Sequence, residues 1–183
     1  MPNKGDTLEN PVTSERVIFL ETSASSGGTL LRMEVFNLAN GFNKIVHIHP
    51  TQIERHEVLG GEMGVNIGGQ ERVLRAGESA VFNMNVPHMF WNISGPNLHF
   101  ITEFRPAFNT EDFIESYIAV AKEGKSNAKG QPPLLLFFVM LREYPIAGYY
   151  AKAPIWLQKA AISVLAFIGR LIGYRGVHQY PDA

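Results

Sequence analysis

The sequence predicts a mainly β chain that ends in helices. Two observations carry this. From about Ser14 to Arg105 short apolar runs alternate with turns; after Pro106 the apolar spacing lengthens to that of helices. Neither internal repeats nor low-complexity runs interrupt the pattern.

Arg16–Glu21 and Thr29–Phe36 are rich in Val, Ile, Leu and Phe, with Ser25-Ser26-Gly27-Gly28 between them. Lys44–His49 and Ile53–Leu59 follow, joined by Pro50-Thr51-Gln52. Glu62–Ile67 and Gln70–Leu74 flank Gly68-Gly69, a two-residue hairpin signal. Ser79–Phe82, His88–Asn92 and Leu98–Phe104 complete the strands. Many short strands at regular spacing imply a sandwich or barrel.

Beyond Pro106, Thr110 is expected to cap a helix whose first turn holds Glu111 and Asp112, with Gly124 as its stop. A second helix is expected over Leu134–Tyr144 between Pro132-Pro133 and Pro145, and a third from Pro154 to about Gly173. The expected organisation is a flexible tail over 1–13, a β unit over 14–106 and a helical extension over 107–183.

Composition narrows the chemistry. The 183 residues suit one domain with an appendage, and 45% hydrophobic residues suffice for a core. Sixteen Lys+Arg against 17 Asp+Glu give a net charge of −1, and no basic stripe or helix-turn-helix signature is present. A nucleic-acid partner is therefore not expected. Cysteine is absent, which excludes disulfides, thiolate nucleophiles and Cys-bound metals. The polar N-terminus lacks the basic-then-apolar order of a secretory signal, so a cytoplasmic location is expected.

Any metal must be held by His and carboxylate. His47 and His49, two apart on a strand, point to one face. Glu54 lies across a short turn, and His88 opens a later strand. Four such ligands suit Mn, Fe, Co, Ni, Cu or Zn. Three neutral imidazoles and one carboxylate around a divalent ion leave one positive charge, which favours an anionic substrate or bound hydroxide.

These residues also carry a family resemblance. Gly41-x5-His47-x-His49-x4-Glu54-x6-Gly61 matches the first motif of the cupins. Gly77-x5-Asn83-x-Asn85-x2-His88-x3-Asn92 is similar to the second, with Asn83 and Asn85 replacing the usual Pro and Gly. Asn tolerates positive φ, so the turn is expected to survive. The resemblance spans about the first 106 residues. It implies a single cupin jelly-roll β-barrel with a metal held by His47, His49, Glu54 and His88. It implies turn roles for Gly41, Gly61 and Gly77, and dimerisation, which is frequent among cupins.

Other residues are placed by alternation. His56 shares the face of Glu54, where it can shuttle a proton, orient a ligand or be a hydrogen-bonded part of the lining. Phe90 and Asn92 share the face of His88, and Asn92 reads as a backbone-bonding residue. Glu57 points to solvent, and His99 and His178 lack companions at ligand spacing. Met33 and Val35 read equally as pocket lining or core.

In the third helix Lys159, Ser163, Ala166 and Arg170 form a narrow polar or small stripe on an otherwise apolar element of about 20 residues. Packing on the barrel or on a partner subunit, as in a homodimer, is the leading expectation. Contact with a membrane surface is the lesser one, and a span is disfavoured by the two charges.

Three functions follow. The first is an oxygenase-type metalloenzyme acting on a small organic substrate. The second is a non-redox isomerase, epimerase or lyase on a sugar-like substrate. The third is a non-catalytic module that binds a small molecule.

Overall fold

The computed structural model describes residues 1–38, 44–145 and 148–180; Gly41 of the first motif lies outside them. The strands are β1 (Thr7–Glu9), β2 (Arg16–Glu21), β3 (Leu31–Phe36), β4 (His47–Ile48), β5 (Ile53–Gly60), β6 (Glu62–Ile67), β7 (Gln70–Arg75), β8 (Ser79–Phe82), β9 (His88–Asn92), β10 (His99–Arg105) and β11 (Tyr149–Tyr150). The helices are α1 (Ser23–Ser26), α2 (Thr110–Lys122), α3 (Leu134–Glu143) and α4 (Ile155–Leu171).

Two antiparallel sheets result. One runs β1-β2-β3-β10-β5-β8, the other β11-β4-β9-β6-β7. Alternation sends one face of each inward: Glu54, His56 and Val58 are buried, whereas Arg55 and Glu57 pair with each other at 2.8 Å on the outside. The inward faces share one core, with Phe19, Met33, Val35, Phe82 and Phe100 from the first sheet and Met63, Val65 and Phe90 from the second. Met33 and Val35 are thus core residues. The expected barrel is resolved as these two facing sheets. Among the described residues their edge strands are not paired into a closed cylinder.

Several boundaries move for identifiable reasons. The expected strand at Lys44–His49 shortens to His47–Ile48, because its partners there are only the first residue of β9 and the two residues of β11. The tail expected over 1–13 is built into the fold. Thr7–Glu9 pairs with β2, the fully buried Leu8 joins the core, and the Met1 amino group meets Glu115 at 3.0 Å. Asn109, not Thr110, occupies the cap of α2. The Thr110 hydroxyl instead accepts from Gln52 Nε2 at 2.9 Å. Asn85 does take the left-handed conformation, at φ 60°.

The C-terminal region is mixed, not wholly helical. Between α3 and α4 the chain returns to the second sheet, where β11 pairs along β4. α2 and α3 share a small core of Val120, Leu136 and Met140. α4 lies on α3 at close range: a Cβ at Gly169 would come within 2.6 Å of Val139. Ala166 of the expected stripe is buried, and Arg170 pairs with Glu143. The outer face, with Trp156, Phe167 and Leu171, is exposed. Among the described residues no helix is long and apolar enough to cross a membrane.

Candidate metal centre

The four residues singled out by spacing converge from both sheets. His47 and His88 face each other across the β4–β9 pair, His49 follows β4, and Glu54 projects from β5 of the opposite sheet. One ligand atom from each lies within 4.8 Å of the others. His49 Nε2 and His88 Nε2 each stand 3.2 Å from Glu54 Oε2. The His47 and His88 ring centroids are 4.4 Å apart.

Backbone carbonyls fix two of the imidazoles. His47 Nδ1 donates to the Ile45 carbonyl at 2.7 Å, and His88 Nδ1 to that of Val86 at 2.8 Å. With Nδ1 so engaged, Nε2 of each ring turns toward the centre, where it can ligate a metal once it carries no proton.

Electrostatics agree with a ligand set. Burial pushes His47 down to about 4, against the pull of Glu54, so its ring is neutral at neutral pH. Burial alone would raise Glu54. The charge of His56 and hydrogen bonds from His49, His56 and His88 outweigh it and hold the carboxylate well below its ordinary range. Burial alone would lower His88. Its bond to Glu54, the Glu54 charge and the Val86 carbonyl bond leave it raised. The cluster has the donor set and spacing to hold a divalent transition metal.

His56 lies behind this centre. It is 1% exposed, donates from Nε2 to Glu54 Oε1 at 2.7 Å, and packs among Phe82, Phe90 and Phe100 at centroid distances of 5.1, 4.4 and 5.2 Å. It is not part of the cavity wall described below. Asn92 donates to the Leu38 and Gly95 carbonyls, as its position suggested. His99 stacks on Phe36 and donates to Glu34, while His178 meets Glu123.

A cavity of about 570 Å³ opens on the centre. His47, His49 and Glu54 form its floor with Phe90 and Phe104. The opposite wall comes from the helices: Phe113 and Tyr117 of α2, Phe137 and Leu141 of α3, Ile162 of α4. Gly148, next to β11, reaches the imidazoles themselves. A Cβ there would lie 3.3 Å from His49 and 3.4 Å from His47. Neither the place of this glycine nor the cavity-lining role of the helices is readable from the sequence. Amphipathic spacing marks α2 and α3 as having a buried face but does not say what that face covers.

Residues 34–102 match the family model described as the cupin domain. Over that stretch the chain is similar to a cupin domain. Among solved structures it is similar to KdgF from Halomonas sp. (16% identity, 58% of this chain and 90% of that one, TM-score 0.47). It is also similar to an RmlC-like cupin from Shewanella frigidimarina (24% identity, 57% and 86%, TM-score 0.43). A third is a sugar phosphate isomerase of the cupin superfamily from Silicibacter pomeroyi (16% identity, 55% and 70%, TM-score 0.43). A search of curated proteins finds no match.

Proposed function

We propose that this chain is a metal-dependent enzyme of the oxygenase type, acting on a small organic substrate at a centre made by His47, His49, Glu54 and His88. The observation that carries the reading is the convergence of these four donors, three of which, His47, His49 and Glu54, line a cavity of small-molecule size. A bound transition metal would supply Lewis-acid or redox chemistry there.

The chain's own residues have separable tasks. His47 and His88, fixed through Nδ1, offer Nε2 lone pairs, and Glu54 offers the compensating negative charge. His56 is a positioning residue: it holds Glu54 Oε1 and leaves Oε2 facing His49 and His88. Phe90 and Phe104 give the floor an apolar part beside the ligands, and residues of the three helices line the rest of the cavity.

Elemental analysis of untagged protein tests the centre. A stoichiometric metal, lost in His49→Ala, is the expected result. Oxygen uptake by the Fe or Mn form across diketones, flavonols and phenols tests the reaction. Solvent-deuterium exchange into keto sugars without oxygen uptake would instead establish the non-redox reading. A tightly held organic ligand in metal-free protein without turnover would establish the binding module.

A further inference from the structure

We infer that the helix-walled cavity selects a largely apolar, aromatic-sized ligand that carries a hydroxyl or other hydrogen-bond donor at its metal-facing end, with Gln52 as the acceptor that reads it. This deepens the reading above and rests on it, since it names the substrate class of the same centre.

Two observations carry it. The first is the wall. Phe113, Phe137, Phe138, Leu141 and Ile162 come from three helices outside the β sheets, and they face a floor that also contains Phe90 and Phe104. Two of the polar side chains on the lining are committed elsewhere. Gln158 bonds the backbone of Tyr150 and Ala153, and Asn10 Oδ1 accepts from the Val12 and Thr13 amides. A polyhydroxylated sugar seated against these aromatic and aliphatic side chains would lose water from hydroxyls that they cannot bond.

The second is Gln52, two residues before Glu54. It is 1% exposed and lines the cavity. Its Nε2 is surrounded by acceptors: the Pro106 carbonyl at 2.8 Å, the Ala107 carbonyl at 3.3 Å and the Thr110 hydroxyl at 2.9 Å. Those contacts fix the amide orientation. Its Oε1 is buried and has no partner among the described residues. Such an acceptor costs stability unless something donates to it. A ligand O–H or N–H seated on the floor beside the metal ligands would do so once the side chains that cover Oε1 part to admit it.

The experiment uses the full chain stripped of metal, so that ligand selection is read apart from the metal centre. Calorimetric titrations compare 2-naphthol, 2-methoxynaphthalene (similar in shape, with no donor) and D-glucose. We expect 2-naphthol to bind, with roughly fivefold preference over its methyl ether, and glucose not to bind. Gln52→Met should erase the preference. Ile162→Trp should weaken both aromatic probes at least tenfold and leave metal stoichiometry unchanged, since the wall and not the floor is filled. Glucose binding as tightly as 2-naphthol, or 2-naphthol binding indifferent to Ile162→Trp, would overturn the inference. Undiminished preference in Gln52→Met would overturn the role of that residue. Aromatic binding in a protein that never takes up metal would uphold the cavity's selectivity and sink the metal reading alone.

Discussion

His56 donates from Nε2 to Glu54 Oε1 over 2.7 Å, from inside a cage of Phe82, Phe90 and Phe100. A buried carboxylate so held keeps its other oxygen oriented toward His49 and His88. His56→Phe suits the aromatic surroundings but cannot donate. It should fold and lower metal affinity by about 10- to 100-fold, the usual cost of losing an outer hydrogen bond to a ligand. Competition with a chromophoric chelator measures this. Unchanged affinity in a folded variant would show that Glu54 needs no such support.

Metal affinity should depend on pH through His88. Its value is raised, so it is the imidazole that must give up a proton on binding, whereas His47, at about 4, is already neutral. Affinity is then full above the raised His88 value and falls as pH drops through it, by about tenfold per pH unit for one displaced proton. Glu54, held well below its ordinary 4.5, adds no slope in that window. Its own contribution to the stability of the metal-free fold is fully present above 4.5 and is lost as pH falls through its lower folded value. Calorimetry in buffers of different ionisation enthalpy reads the released proton. A pH-independent affinity would refute the assignment.

Gly148 and Gly173 separate strain from contact. Both have strongly positive φ, 110° and 95°. A Cβ at Gly173 meets nothing within 4 Å, but at Gly148 it meets His49 at 3.3 Å and His47 at 3.4 Å. Replacing either by Ala should cost about 1–3 kcal/mol of stability from the backbone alone. Only Gly148→Ala should also impair metal uptake, because the imidazoles must yield. Equal metal affinities in the two variants would show that His47 and His49 have room to adjust.

The centre was legible because its signal is local and chemical. His47 and His49 alternate correctly on a strand, Glu54 follows at a fixed interval, and His88 sits in a second motif whose Asn85 tolerates the positive φ its turn requires. Alternation also placed His56 on the face of Glu54, although it could not give depth. What escaped depends on long-range packing. Leu8 is one apolar residue among polar ones, so β1 carries no periodicity, and β11 is only two residues long. Phe113, Phe137 and Ile162 look like ordinary helix-core residues until three helices are seen to meet over the same floor. Gln52 looked like a turn residue because its partners lie 54 to 58 positions away.

Because Glu54 belongs to one sheet and His47 and His88 to the other, a bound ion would tie the two sheets together. Metal should therefore stabilise the whole β unit and not merely order a loop. Free metal at about a hundred times its Kd adds about 2.7 kcal/mol if the unfolded chain does not bind it. For a chain of this size that corresponds to a Tm rise of about 5–10 °C. Chelation should reverse the rise, and His49→Ala should remove most of it. Melting should be followed by two probes, one reporting on Trp91 in β9 and one on backbone circular dichroism. Coincident shifts are expected if the ion couples the sheets. A metal-dependent shift seen by only one probe would mean that the cluster acts locally, and the centre would then lose its role as a fastener between the sheets.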